Sequence, residues 1–333
     1  MRFLMRTSRN HRSPRLRTTV AVLASLLAGC GDVGNLTEPR PPGGLDDSVL
    51  PGVPGLAGSI AFVSTRDGSP WIYVADSTSV RRLVPGDEPA WSPDGSMIAF
   101  ESSAGIALVG SDGTNERVIR AGGYQPVWSP DGRRIAFRDG GIRVMQSDGS
   151  GELLLVADDF AQAGDELRRP DWSPDGQRIA FVRYDCCWSW PLEIYAAGLD
   201  GTPPRLVINV VDEAGNTVHY SHWSPAWSPD GRSMAFVHLF RLATIGATGG
   251  DLKFLGMNAA WESKLDWSPD GRHLVFSDYN RTRSGQGTIP IGQLRVYVAD
   301  LSTSGVTQLI PDATAPVNPD YWDSHAVWSH ARR

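Results

Sequence analysis

From about residue 58 onward, the sequence alternates short apolar runs with clusters of Gly, Asp, Ser and Pro. Runs such as "MIAF", "RIAF" and "MAFV" are followed by segments like "IYVAD" or "IRVMQ", and then by segments like "RRLV" or "ELLLV". Apolar runs of this length between turn residues predict short β-strands rather than helices. We therefore expect an all-β domain.

The strands belong to an internal repeat marked by the motif Trp-Ser-Pro-Asp-Gly. Its spacing varies from 37 to 55 residues, and the motif begins at Trp91, Trp128, Trp172, Trp227 and Trp267. A period near 40–45 residues with four strands per repeat is typical of a propeller blade. We predict that strand A of each blade ends at the Trp and that strands B, C and D follow it.

The two ends of the repeat region complement each other. Residues 58–89 carry strands B, C and D without a preceding motif, and "HAVWS" at His325–Ser329 is a strand A without successors. Pairing these ends would complete one blade and close a ring. The sequence thus predicts a six-bladed β-propeller of four-stranded blades over residues 56–333. Seven blades is the weaker alternative, because the 61 residues from Trp267 to Trp328 are too few for two further blades.

The Ser-Pro-Asp-Gly segment has the composition of a tight hairpin. Pro presets φ at the second turn position and Gly adopts the left-handed conformation, which favours a type I turn with a G1 bulge between strands A and B. The Asp can accept a backbone N–H within the turn, and the Trp is suited to filling space between blades. We assign a structural role to Asp94, Asp131, Asp175, Asp230 and Asp270. A role as metal ligands or catalytic acids is disfavoured, because the five carboxylates would be dispersed around a ring and would have equivalent surroundings.

The N-terminus has the pattern of a secretory signal. Residues 1–17 carry six Arg and no acid, and the apolar run Thr18–Gly29 is too short to span a bilayer as a helix. The run ends in "LAGC", which resembles the lipobox of bacterial lipoproteins and implies cleavage of residues 1–29 and lipidation of Cys30. An ordinary signal peptide with a chance Cys is the alternative. Because residue 31 is Gly rather than Asp, the resemblance implies the outer membrane or cell surface rather than the inner membrane.

Charge and cysteine content narrow the possible partners. Removing residues 1–29 changes the net charge from -6 to -12, because six Arg and no acid are lost. Such an acidic chain is a poor candidate for binding nucleic acid.

Cys186 and Cys187 could form a vicinal disulfide or stay reduced, and no spacing of Cys and His residues indicates a zinc site. We expect no cofactor, no metal and a monomer, with residues 30–55 as a flexible, Pro- and Gly-rich tether.

The repeat "WSPDGxxIAF" followed by "IYVAD" and "RLV" resembles the WD-repeat-like propeller repeats of the TolB family over nearly all of residues 56–333. This resemblance implies a six-bladed propeller that binds protein partners in the periplasm. The stretch 31–55 leaves no room for the N-terminal α/β domain of that family, so specific partners are not carried over.

The long insertions all fall on one predicted face, which carries the B–C loops and the D–A links; we call it the long-loop face. They are Asp158–Pro170, Arg183–Glu193, Asn209–Pro225, Ser277–Gly292 and Pro311–His325. Loops of this kind hold recognition residues, and aromatics and Arg dominate interface hot spots. The candidate binding residues are Arg183, Trp188, Trp190, His219, Tyr220, His222, Trp223, Arg281, Arg283, Tyr321, Trp322 and His325. Alternatively, Trp188 and Trp190 pack as a lid over their own loop.

We therefore expect a lipid-anchored, extracytoplasmic module that binds or scaffolds an envelope protein or an oligosaccharide. The alternative is a metal-dependent polysaccharide lyase that uses His219, His222 and His325, since some lyases with similar propellers have a His-based metal site. The sequence contains no HExxH and no G-x-S-x-G motif, so a non-enzymatic role is favoured.

Overall fold

A computed structural model of the chain describes residues 50–51, 56, 58–159, 166–184, 193–208, 222–260, 263–279, 294–310 and 322–330. Over these ranges the protein consists of β-strands and turns, arranged in six antiparallel sheets. The described residues include no helix that is long and apolar enough to cross a membrane. The predicted signal, the lipidation site Cys30 and most of the predicted tether lie outside the described residues.

The six sheets are the predicted blades. Blade 1 begins with β1 (Leu50–Pro51), β2 (Ile60–Ser64), β3 (Trp71–Ala75) and β4 (Ser79–Pro85). Blade 2 contains β5 (Asp87–Trp91), β6 (Met97–Ser102), β7 (Gly105–Gly110) and β8 (Arg117–Ala121). Blade 3 contains β9 (Tyr124–Trp128), β10 (Arg134–Arg138), β11 (Gly141–Gln146) and β12 (Leu153–Ala157).

The second half repeats this order. Blade 4 contains β13 (Glu166–Trp172), β14 (Arg178–Tyr184), β15 (Glu193–Gly198) and β16 (Arg205–Leu206). Blade 5 contains β17 (His222–Trp227), β18 (Ser233–His238), β19 (Arg241–Gly246) and β20 (Lys253–Asn258). Blade 6 contains β21 (Asp266–Trp267), β22 (His273–Tyr279), β23 (Leu294–Asp300) and β24 (Gly305–Gln308).

The C-terminal strand closes the ring. β25 (Asp323–Trp328) pairs antiparallel with β2, and Ile60 lies opposite Trp328. The six-bladed prediction and the closure by the last strand are both confirmed. One feature differs from expectation: β1, inside the stretch predicted to be a tether, pairs with β4 and gives blade 1 a fifth strand.

Each blade contributes one Phe from strand B to the core, and all six are at most 1% exposed: Phe62, Phe100, Phe137, Phe181, Phe236 and Phe276. The motif Trp residues pack between blades, as predicted. Arg134 of blade 3 lies 5.1 Å from the ring centroid of Trp172 in blade 4, and Arg178 of blade 4 lies 4.9 Å from that of Trp227 in blade 5.

The Ser-Pro-Asp-Gly turns share one hydrogen-bond pattern. In the first of them, Gly95 has φ 70° and its N–H donates to the Ser92 carbonyl at 2.9 Å. The Asp94 carboxylate accepts from the Ser92 hydroxyl at 2.6 Å and from the Ser96 N–H at 3.0 Å. These contacts lower the pKa of Asp94, so its carboxylate stays ionised and holds the turn. The same contacts recur at Asp131, Asp175, Asp230 and Asp270.

The turns between strands C and D lie beside these A–B turns. In blade 2 the Ser111 N–H donates to the Ser96 carbonyl at 2.8 Å, and blades 3 to 6 have the equivalent bond. The two sets of short turns therefore share one side of the propeller, which we call the short-turn face. The B–C turns and D–A links that the structure describes lie on the opposite, long-loop face.

Candidate functional site

The first strands of the blades surround the propeller axis. β5, β9, β13, β17, β21 and β25 each contact the next in a ring, and they line a central cavity of about 820 Å³. The residue three positions before the motif Trp, or before Trp328 in blade 1, occupies an equivalent place in every blade. We call this set the channel ring, and its members are Glu88, Gln125, Arg169, Ser224, Lys264 and His325.

Local backbone geometry sets the position of the channel ring. Five of its six members have φ between 48° and 56°, the exception being Lys264. In blade 2 the pairing of β5 with β6 shifts register between Asp87 and Ala90, so Glu88 lies in a β-bulge. Bulges re-aim side chains and recur beside functional sites. Because strand A begins at the D–A link, the channel ring lies toward the long-loop face.

Glu88 is the centre of the charged contacts in the ring. Its Oε1 is 2.5 Å from Arg169 Nη1 and 3.6 Å from His325 Nε2, and its Oε2 is 3.5 Å from Lys264 Nζ. Glu88 is only 5% exposed. Burial raises the pKa of Glu88, but Arg169, His325 and Lys264 together lower it to about 2. One ionised carboxylate thus links blade 2 to blades 4, 6 and 1.

Two further carboxylates border this cluster. Asp87 Oδ1 lies 2.7 Å from His325 Nδ1, while Arg169 Nη2 lies 3.3 Å from His325 Nε2. Glu101 accepts the Gln125 N–H at 2.6 Å. Burial, together with the negative charge of Glu88, raises the pKa of Glu101 to about 7. The site therefore combines fixed charges with one carboxyl group that titrates near neutral pH.

A second polar layer follows along the channel toward the short-turn face. Asp171 accepts the Trp227 N–H at 2.8 Å, and Asp266 accepts the Trp328 N–H at 2.6 Å, so each ties its blade to another. Burial raises the pKa of Asp171 to about 7, with a contribution from Asp266. Burial lowers the pKa of His330, but Asp266, whose Oδ1 is 3.6 Å away, raises it overall.

Several residues expected in long loops lie in strands instead. Arg183 belongs to β14, is 7% exposed and places its Nη1 2.5 Å from Glu193 Oε2 in β15. Trp223 in β17 is 7% exposed and packs against Tyr184 at 6.1 Å between ring centroids. His222 also belongs to β17, and His325 belongs to β25. The strands are longer than the apolar runs from which they were predicted, because pairing between neighbouring strands continues beyond those runs. Arg183 in β14, for example, pairs with Glu193 in β15.

Trp322 is half-buried just before β25, where its N–H donates to Thr65 Oγ1 at 2.9 Å. Of the predicted binding residues that the structure describes, His325 is the one that lies in the channel cluster. The remaining candidates lie outside the described residues: Trp188, Trp190, His219, Tyr220, Arg281, Arg283 and Tyr321, as do Cys186 and Cys187. In the ranges that the structure describes, no three His, Cys, Asp or Glu side chains form a metal-binding group.

The residues of the channel ring other than His325 were not predicted from the sequence. A signal for them exists, however: aligning the repeats on the motif Trp gives one column with six different residue types, most of them charged or amide. The neighbouring Trp, Ser, Pro, Asp and Gly columns are nearly constant. The constant columns build the blade, and this column supplies charged and polar groups to the channel.

Comparisons with known proteins agree on the fold. No protein-family model matches the sequence, and no curated protein matches it. Among solved structures, TolB from Acinetobacter baumannii is 19% identical over 83% of this chain and 68% of that chain, with a TM-score of 0.61. A chain of a nidogen/laminin complex is 13% identical over 83% of this chain and 100% of that one, with a TM-score of 0.59. A putative TolB from Agrobacterium tumefaciens is 17% identical over 82% and 99%, with a TM-score of 0.52. The protein thus has the fold of the TolB-like six-bladed β-propellers.

Proposed function

We propose that the protein is a lipid-anchored binding and scaffolding module of the cell envelope. In this proposal its partner is an envelope protein or an oligosaccharide that docks on the long-loop face, over the channel ring. The observation that carries the proposal is the contrast between a nearly constant scaffold and the channel ring, which presents Glu88, Gln125, Arg169, Ser224, Lys264 and His325 at one repeated position. A rigid scaffold with variable polar groups at one mouth suits recognition.

The lyase alternative gains no support from His325, the one of its three histidines whose side chain the structure describes. The Nδ1 of His325 faces Asp87, and the Nε2 lies 3.3 Å from the guanidinium of Arg169. A metal ion bound to that nitrogen would meet a fixed positive charge. His219 and His222 stay the predicted ligands of this alternative. Metal analysis of the purified protein tests it, because stoichiometric metal that is lost in His219→Ala/His222→Ala would favour the enzyme.

A comparative pull-down tests the binding proposal. The intact protein and a variant whose 185–192 segment is replaced by a short Gly-Ser turn are cross-linked in envelope extracts. The expected result is a partner that the intact protein captures and the shortened variant does not. Asp148→Asn, in a C–D turn of the short-turn face, is the control and should capture normally. Equal capture by all three proteins would refute the proposed binding face.

The anchor is tested separately. Cys30→Ala should move the protein from the membrane fraction to the soluble extracytoplasmic fraction and abolish incorporation of labelled fatty acid. A variant that stays membrane-bound and labelled would show that Cys30 is not the lipidation site. Because this test does not involve the propeller, its outcome is independent of the pull-down.

A further inference from the structure

The B–C turn of blade 5 has an unusual sequence for its backbone conformation. Leu239 and Phe240 alone connect β18 to β19, with φ values of 46° and 65°. A two-residue hairpin with positive φ at both positions strongly favours Asn-Gly, and bulky residues there are strained. Blade 3 makes the equivalent connection with Asp139 and Gly140. Blade 5 therefore places two apolar residues where local conformation disfavours them.

These side chains are also exposed to solvent. Leu239 is 42% exposed, Phe240 is 47% exposed, and Phe254 in β20 of the same blade is 41% exposed. We call these three residues the apolar tip. The Phe240 carbonyl accepts the Ala259 N–H at 2.9 Å, which holds the turn against the start of the next link. Leu239 and Phe240 thus form a fixed, exposed apolar end of the hairpin, and Phe254 adds an exposed apolar side chain on the neighbouring strand β20.

One cation lies directly beside the apolar tip. The exposed Arg241 follows Phe240 in sequence, and its guanidinium lies 4.4 Å from the Phe254 ring centroid. His238 packs 5.3 Å from Phe254, and burial, followed by the charge of Arg241, lowers its pKa. Exposed apolar side chains beside an Arg match the boundary between acyl chains and anionic headgroups.

We propose that the apolar tip inserts into a lipid bilayer and gives the propeller a second membrane contact besides the N-terminal lipid. A bilayer fits better than a protein pocket because the turn exposes two apolar side chains at a hairpin end, followed directly by the exposed Arg241. The inference rests on the proposed extracytoplasmic location.

Vesicle sedimentation tests the proposal with residues 30–333 carrying Cys30→Ser, so that neither the predicted signal peptide nor an acyl chain contributes. The vesicles contain phosphatidylglycerol and phosphatidylethanolamine. Leu239→Asn/Phe240→Gly should lower the partition coefficient by about tenfold or more, since it removes the two inserted side chains. Leu153→Asn/Leu154→Asn, at exposed positions of β12, should bind like the parent.

A melting curve accompanies each variant. The Asn-Gly turn suits positive φ at both positions, so the melting temperature of Leu239→Asn/Phe240→Gly should equal or exceed that of the parent. A parent that does not bind vesicles, or a tip variant that binds as the parent does, overturns the proposal. The proposal also fails if the parent does not bind vesicles and Leu239→Asn/Phe240→Gly loses its partner in the pull-down. The tip would then be a contact to a protein and not to a bilayer. The loss of fatty-acid labelling in Cys30→Ala and the loop-shortening pull-down do not depend on these results.

Discussion

Glu88 lies within 3.6 Å of the Arg169, Lys264 and His325 side chains of the channel ring, and its replacement should lower the stability of the fold. Its carboxylate contacts Arg169 at 2.5 Å and Lys264 at 3.5 Å with a side chain that is 6% exposed. Glu88→Ala leaves these cations in a buried site without their counter-charge. We expect it to lower the free energy of unfolding by about 3–5 kcal/mol, measured by urea denaturation.

The matched control is an ion pair between blades 2 and 3 at the surface. Asp139 Oδ2 is 2.6 Å from Arg120 Nη2, but its side chain is 43% exposed. Asp139→Ala should cost less than ~1 kcal/mol, because solvent screens such pairs. Equal losses in the two variants would show that Glu88 does not act as a buried hub.

Titration of the channel carboxyls should make stability fall as pH rises. Burial raises the pKa of Glu101 from 4.5 to about 7, and it raises that of Asp171 to about 7. In this window the folded protein holds protons that the unfolded chain has released, so each group contributes up to ~1.4 kcal/mol of lost stability per pH unit. His330, whose pKa Asp266 raises, acts in the same direction.

Urea denaturation between about pH 5 and about pH 8 measures this slope. Glu101→Gln keeps an acceptor for the Gln125 N–H but cannot ionise. Its free energy of unfolding should therefore depend less steeply on pH than that of the parent. An unchanged slope would exclude Glu101 as a titrating group.

At the scale of the element, the closing strand β25 is held by more than its ladder to β2. Arg66 Nη2 lies 3.0 Å from Asp323 Oδ1, and the two side chains are 0% and 3% exposed. Arg66→Met leaves the Asp323 carboxylate buried without this partner and should cost about 3–5 kcal/mol. Arg66→Met/Asp323→Asn should cost less than the sum of the single changes, in urea denaturation. Additive losses would show that the pair does not couple the ends of the ring.

The elements that the sequence predicts well are those encoded locally. Turn residues and apolar runs determine each hairpin within some ten residues, so the blades and their closure could be predicted. Strand ends could not, because cross-strand partners such as Arg183 and Glu193 extend the ladder beyond the apolar run. β1 was missed for a similar reason, since only its pairing with β4 defines it.

At the scale of the whole molecule, the candidate site depends on ring closure. Glu88 and Arg169 are 81 residues apart in sequence, and Glu88 and His325 belong to blades 2 and 1, which adjoin through the closing strand. Within a single repeat, no local pattern indicates that the residue three positions before the motif Trp faces the axis, and only the comparison of all six repeats marks this column. The residue types differ from blade to blade, so a search for a constant motif passes over them. The circular arrangement alone brings them together.

The two faces of the propeller should therefore respond differently to substitution. The short-turn face is built from self-contained turns, such as Asp112 accepting the Thr114 N–H at 2.9 Å, which leave little for a partner to engage. The long-loop face carries the channel ring and Trp322, and the sequence predicts that the segment containing Trp188 and Trp190 belongs to it as well. We expect Trp188→Ala, Trp190→Ala and Trp322→Ala to abolish partner capture while the circular dichroism spectrum is unchanged. Asp112→Asn should leave capture intact, and unchanged capture by all three Trp variants would place recognition elsewhere.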